Sequence, residues 1–548
     1  MAWTRRQILE LSAKLGLLSL APMGVGCEPE PDDDDSTPSA SGWPPFEGCD
    51  PETVDWVYDG ELGPETTFSH GVASGDPLAD AVILWTRVTT EQDAVDVLWE
   101  VAETPDFATI YASGLASATA ERDWTVKVDA TCLRPGQTWY YRFSALGRTS
   151  VVGRTRTAPY GPADRLRFAF CSCASYAHGW YHAYRALAEQ PDLDVVFHLG
   201  DYTYEQAQGD YGDVRPLEPT HETVTLDDKR RRYAYYRLDP DLQEVHRQHP
   251  FVCTWDDHEF ANGTWSGGAQ DHQPDTEGTW EDRLAAGMRA YVEWLPIREE
   301  LPGIIYRRLL YGDLLDVLVL DTRVVGRDAP PTTTDQAYDP DRQLLGELQE
   351  QWLLDRLSAT PARWTLLAQQ ICMGQWSLST DDQGRARPLN QDAWDGYQAA
   401  RQRIFEHIVD EQIEGVVVIS GDVHSSWAND LALDFNAYDA ALHTGAVAVE
   451  AVCPGISSPG TSVLDALFND DNPYIRWQNS TLRGFVICEV DHQRLQADWH
   501  LLPAGSIESE TYTAPEVAAS FVVTHGQPWW EPADGPLQPV PGAPPLAP

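Results

Sequence analysis

LDVVFHLGDYTYE (193–205) decides the fold. Its first half, Val195-Val196-Phe197, is an apolar run of β-branched and aromatic residues, as in a strand covered on both faces. Its second half turns polar at Gly200-Asp201. The same change of texture recurs in LRFAFCSC (166–173), PFVCTWDD (250–257), LLDVLVLDTR (314–323), WTLLAQQI (364–371) and GVVVISGDVH (415–424). Between these runs lie helical patterns such as WYHAYRALAEQ (180–190), WEDRLAAGMRAYVEWL (280–295) and QLLGELQEQWLLDRL (343–357). Buried strands alternating with helices predict an α/β core whose sheets are covered by helices. Sites in such folds gather at the carboxyl ends of strands, so Cys173, Asp201, Asp257 and Asp422 are expected to meet in space.

Working outward, residues 54–160 show short strand-like runs separated by turn residues: AVILWTRV (81–88), DVLWEVAE (96–103), WTVKVDA (124–130), WYYRFSAL (139–146) and VVGRTRT (151–157). Such spacing predicts a small antiparallel sandwich. Within it, TCLRPGQTWYY (131–141) resembles the tyrosine-corner region of fibronectin-III-like domains. Gly75-Asp76-Pro77 reads as a structural turn, with Gly75 supplying a positive φ. On the other side, AVAVEAV (446–452) and RGFVICEVD (483–491) continue the α/β domain, taken as 161–502. Residues 503–548 form an extension whose Pro-rich end is expected to wrap the surface or fray.

The amino terminus bears on location. Arg5-Arg6 precede a modestly apolar run over 15–25, too short to span a bilayer, and resemble a twin-arginine export signal occupying 1–27. Cys27 follows Gly24-Val25-Gly26 and is a candidate lipid acceptor. EPEPDDDDSTPSASGWPPFEG (28–48) lies within an acidic, Pro/Ser-rich linker, 28–53, unable to offset its own ordering entropy. An exported protein, periplasmic, extracellular or lipid-anchored, is expected, and a monomer.

The 548 residues carry a formal charge of −47 and only three lysines, Lys14, Lys127 and Lys229. No basic stripe exists for nucleic acid. A phosphate site in so acidic a particle must create local positive charge, and bound metal ions are the simplest source. The nine cysteines form no CxxC pair. Some can pair in an oxidising compartment, with connectivity open, whereas Cys253, Cys372 and Cys488 read as small buried apolar groups.

Three strand-end clusters carry the chemistry. Gly200-Asp201-Tyr202-Thr203-Tyr204 offers a carboxylate able to bridge two metals and a phenol able to turn back toward it. Asp256-Asp257-His258-Glu259 crowds acids beside a histidine, which in a dry core must be compensated by a cation or by solvent. In Gly421-Asp422-Val423-His424 the strand period puts Asp422 and His424 on one side.

Purple-acid-type metallophosphoesterases carry ordered blocks of this kind, and the replacements here, a cysteine, GDYTY, DDHE and GDVH, resemble the PhoD-like alkaline phosphatase family. Further similar stretches are FSHGVASGDPLADAVILWTRV (68–88), CASYAHGWYHAYRAL (173–187), TWDDHEFANGTW (254–265), AYVEWLPIRE (290–299), SGDVHSSW (420–427) and ISSPG (456–460). The resemblance implies a metallophosphoesterase-type αββα sandwich preceded by a fibronectin-III-like β-sandwich domain. It implies Fe(3+) held by Cys173, Asp201, Tyr204 and His424; strand alternation puts Cys171 on the same face as Cys173, as the runner-up ligand. It implies Ca(2+) held by Asp257 and Asp422 with Gln369 or Gln370; an oxygen-rich set suits calcium. His258 would protonate the leaving alkoxide or steady the phosphate, and Arg323 and Asn262 would hold phosphate oxygens. Gly263 departs from the family pattern, which often has Asn or Asp there, and CAS stands where CQ is usual.

The implied activity is hydrolysis of phosphate monoesters by metal-activated water. Phosphate-ester small molecules, or phospholipid or nucleotide diesters, are the expected substrates. The alternatives are a phosphodiesterase or phospholipase-D-like hydrolase on the same scaffold, and a surface-tethered binding protein with a silent catalytic domain.

Overall fold

A computed structural model describes residues 46–299, 301–469 and 472–548. The export-signal reading, Cys27 and most of the acidic linker lie outside the described residues. Two sheets face one another at the centre. The first has ten strands, in the order Gln527–Pro532, Glu516–Thr524, Arg494–Leu501, Gly484–Asp491, Arg165–Cys171, Val195–His198, Pro250–Cys253, Val72–Gly75, Val82–Arg87 and Thr125–Ala130. The second has seven, Arg307–Tyr311, Leu315–Val319, Trp364–Ala368, Val416–Ser420, Ala446–Val452, Ser426–Ala432 and Ile475–Asn479.

Phe168, Phe170, Val195 and Phe197 from the first sheet interlock with Val317, Leu366, Val417 and Val449 from the second. The outer face of the first sheet is covered by helices His182–Ala188, Pro240–Gln248 and Trp280–Trp294, that of the second by Gly346–Ser358 and Gln398–Asp410. This is the expected αββα arrangement. Local signals start the helices: Asp239 caps Pro240–Gln248 with proline in its first turn, and Thr279 caps Trp280–Trp294. In both sheets the central strands run parallel, so their carboxyl ends share one edge.

The amino-terminal β-region is not a detached sandwich. Its five-stranded sheet packs against Val72–Gly75, Val82–Arg87 and Thr125–Ala130, which form the far end of the catalytic sheet through the parallel pairs Ser74↔Pro250 and Gly75↔Phe251. Strand alternation explains the fusion. Val72, Val82 and Leu84 face the sandwich core, whereas Ala73 and Trp85 face the helices of the catalytic part. Gly75 does not take a positive φ; it is required because a Cβ would lie 2.2 Å from the Pro296 carbonyl. The left-handed residue is Asp76, φ 43°. Its carboxylate accepts from Arg307 at 2.6 Å and from the Arg298 N–H at 2.6 Å, the structural role expected of the turn.

Cys49 and Cys132 form a disulfide that pins the end of the acidic segment to the sandwich. Cys253, Cys372 and Cys488 are buried and unpaired, as read from the sequence. The carboxyl-terminal extension wraps and does not fray. It supplies two strands, buries Trp530 between the sheets, and returns to the sandwich where Tyr140 donates to the Pro545 carbonyl at 2.8 Å. Among the described residues no helix is long and apolar enough to cross a membrane.

Candidate metal centre

Four chain segments leave the shared strand edge and converge. A cysteine Sγ from Cys173, a carboxylate oxygen of Asp201 and a ring nitrogen of His424 lie within 4.8 Å of one another; so do donors of Asp201, Asp257 and His258, and of Asp256, Asp257 and Asp422. Cys173, Asp201, Asp422 and His424 all have φ between 53° and 64°. L-residues there are strained, and four such residues at one point mark a place where position has been favoured over backbone comfort.

Hydrogen bonds tie the donors together. Tyr204 donates from its hydroxyl to Asp201 Oδ2 at 2.8 Å and lies 3.2 Å from His424 Nε2. Ser458 donates to the Tyr204 hydroxyl at 2.7 Å, and Ser172 Oγ lies 3.0 Å from Cys173 Sγ. Glu259 accepts from the N–H groups of Asp201, Tyr202 and Asp256 at 3.1, 2.6 and 2.7 Å, joining the two loops that carry Asp201 and Asp257. His258 Nδ1 sits 2.7 Å from Glu205 Oε2.

Electrostatics follow from burial. Desolvation pushes the Cys173 thiol well up, with Asp201 adding to the effect, and likewise the Asp201 carboxyl and the Tyr204 phenol. Burial also opposes charging His258, but Glu205, Asp201 and Asp257 overcome it and hold its imidazolium well above the usual range. Asp257 is buried too, yet the Arg323 guanidinium and His258 draw it down to about 2. Burial raises Asp422 to about 7 against the pull of Arg323.

The donors fit metal ions. Asp257 Oδ1 and Asp256 Oδ2 are buried without a hydrogen-bond partner, which in a native core calls for a cation. A thiol, a phenol, a carboxylate and an imidazole form one mixed set and three aspartates a hard set. Cys171 is not among the grouped donors; its Sγ points to the Phe197 carbonyl.

Gln369 and Gln370 stand apart. Gln369 Oε1 accepts from the Ile371 N–H and from Trp394, and its amide donates to Ser420; Gln370 Oε1 accepts from Thr322. Both amides are occupied in the scaffold, so the ligand role expected of Gln369 finds no free oxygen. Arg323 is fully buried and not a surface arginine. It pairs with Asp256 and Asp392 and, at 2.7 Å, with Asp422, leaving no fork facing outward. Asn262 lies at the rim, its amide donating to Asp271 at 2.9 Å.

The motifs assign no separate role to Glu205, Asp256 and Glu259, which sit inside them, and Asp392 lies in a loop that carries no pattern to single it out. Two clefts flank the centre. One is bounded by Asn262, Trp265 and Asp392, the other by Trp376, Asp422 and His424.

The chain is similar to known proteins over most of its length. The PhoD-like phosphatase family matches residues 168–499, and the PhoD-like phosphatase N-terminal domain matches 59–159. Alkaline phosphatase D of Bacillus subtilis (strain 168) is 37% identical over 489 residues, which are 84% of this chain and 81% of that one. A solved structure of PhoD is 35% identical with a TM-score of 0.79, covering 88% of this chain and 95% of the other. A purple acid phosphatase from yellow lupin (Lupinus luteus) seeds, 12% identical, shares the fold with a TM-score of 0.55 over 83% of this chain and 74% of its own. The chain therefore belongs to the PhoD-like phosphatase family and is a phosphoric ester hydrolase.

Proposed function

We propose that the protein is an exported, monomeric alkaline phosphatase that hydrolyses phosphate monoesters at the strand edge described above. The observation that supports this reading is the meeting of Cys173, Asp201, Tyr204, Asp257, His258, Asp422 and His424 at one point, from segments far apart in the chain. Cys173, Asp201, Tyr204 and His424 would hold ferric iron, and Asp257 and Asp422, with Asp201 between, would hold calcium. Bound there, the cations supply Lewis acidity, lowering the pKa of water and neutralising phosphoryl oxygens.

The chain's own residues do the rest. Glu205 engages His258 Nδ1, which leaves Nε2 to carry a proton to the departing alkoxide. Arg323 holds Asp256, Asp392 and Asp422 in place, and Glu259 keeps the two ligand loops in register. Export through the twin-arginine route, with Cys27 as acceptor if a lipid is added, is supported by the Cys49–Cys132 disulfide, which suits an oxidising compartment.

The test is an assay of the mature protein on a phosphate monoester and a diester at alkaline pH, with and without chelator, beside metal analysis. Activity that survives metal stripping ends the proposal. Cleavage of the diester alone moves it to a phosphodiesterase, a second reading favoured by the clefts on both sides of the centre.

A further inference from the structure

The cleft on the Asn262 side has a volume of about 530 Å³ and is bounded by Trp265, Leu389, Asn262, Gln270, Asn390 and Gln391. No lysine or arginine lines it. Its one acid, Asp392, is already engaged by Arg323 and Arg327, so the cleft opens onto the charge network of the centre. A second phosphate bound here would meet no cation, in a chain of net charge −47. Amides beside an indole instead match uncharged groups that combine hydroxyls with a flat face.

Trp265 is presented by a tight hairpin. Its N–H donates to the Gly268 carbonyl at 2.8 Å, the Gly268 N–H returns to the Trp265 carbonyl at 3.2 Å, and the Gln270 N–H donates to the Gly263 carbonyl at 3.2 Å. Glycine is needed twice. A Cβ on Gly268 would lie 2.7 Å from the indole, and one on Gly263, φ 69°, would lie 2.7 Å from Gln270 Cβ. The Gly263 N–H also donates to Asp257 Oδ2 at 2.7 Å, so the hairpin is fastened to a carboxylate of the centre. The left-handed φ and the close Gln270 side chain favour glycine at a position where the family pattern often has Asn or Asp.

We propose that the hairpin 263–270 recognises the alcohol arm of the substrate and selects an uncharged, hydroxylated ring, stacked on Trp265 and hydrogen-bonded by Gln270. This rests on the phosphoesterase reading above. Stacking on an indole discriminates a ring from an acyclic arm by roughly tenfold or more.

The experiment compares kcat/KM of the metal-loaded full chain for glucose 6-phosphate, adenosine 5′-monophosphate, glycerol 3-phosphate, glucose 1,6-bisphosphate and p-nitrophenyl phosphate. Either ring substrate should exceed glycerol 3-phosphate about tenfold, and the bisphosphate should fall below glucose 6-phosphate. Whether the sugar or the nucleoside leads identifies the arm. Trp265→Ala should lower the ratio of ring to glycerol substrate about tenfold, chiefly through KM, while Trp265→Phe retains it. Should Trp265→Ala not fold, Gln270→Ala carries the test with a fall of about threefold in the same ratio. Glycerol 3-phosphate matching both ring substrates, or an unchanged ratio in the alanine variants, overturns the proposal. Failure to hydrolyse even p-nitrophenyl phosphate would instead sink the underlying monoesterase reading, and this one with it.

Discussion

The two sides of the centre balance charge differently. Among the described residues no arginine or lysine forms an ion pair with Asp201, whereas Arg323 reaches Asp256, Asp257, Asp392 and Asp422. Burial accordingly pushes Cys173, Asp201 and Tyr204 toward their protonated forms, while Asp257, equally buried, is pulled down to about 2. On the first side the donors have no guanidinium to offset burial. On the other Arg323 is a permanent cation that draws Asp257 down, while burial still raises Asp256 and Asp422 against its pull. A single strand edge thus presents two sites of different hardness, and the carboxylate between them is Asp201.

The largest effect should come from breaking the bridge. Asp201→Ala is expected to remove both kinds of metal, read by elemental analysis, and to lower kcat/KM by more than about 10³-fold, beyond the 10- to 100-fold typical of outer partners of a metal site. Loss of only one metal would mean that the two sides do not share Asp201.

Next, His258→Gln should lower kcat about 10²-fold or more for alkyl phosphates and much less for p-nitrophenyl phosphate, whose leaving group needs no proton. An equal loss on both substrates would assign His258 to phosphate binding and not to proton delivery.

Arg323→Met sharpens the comparison on the acidic side. Removing the cation from buried aspartates should cost about 3–5 kcal/mol in denaturant unfolding of the metal-free protein. Calcium should restore part of that loss. A variant as stable as the parent would show that solvent reaches these acids.

The smallest effect, read per pH unit, concerns Lys229, buried beneath the loop of Glu259 and donating to its carbonyl at 2.8 Å. Desolvation, then Arg283, lowers its pKa from 10.5 to about 7. Between pH 7 and 10.5 the unfolded chain holds the proton that the folded one has lost, so this group makes stability rise with pH. Lys229→Met should flatten the rise by about 1.4 kcal/mol per pH unit in that window. An unchanged slope would mean that Lys229 keeps its proton when folded.

Residues whose placement follows from covalent neighbours were legible. Asp201, Asp257, Asp422 and His424 each end an apolar strand, and parallel strands must deliver their ends to one edge. Gln369 also ends such a strand, yet its amide is taken by Ile371, Trp394 and Ser420, a competition that no local pattern records. Arg323 read as a phosphate fork because arginine beside a site usually grips an oxyanion; its carboxylate partner Asp392, 69 residues away, decides otherwise. The sandwich boundary near 160 was drawn from composition, which cannot show that Val72–Gly75 pairs with Pro250–Cys253.

The amino-acid order alone determined the layered α/β architecture, the strand-end clusters and the family resemblance, because hydrophobic period and short motifs are properties of neighbours along the chain. Only the tertiary structure decided which carboxylates carry a cation of their own, which amides are already spent, and where a glycine-closed hairpin places an indole beside the centre. Those depend on burial and on partners up to 99 residues apart, and burial sets the strength of every charge interaction in the site.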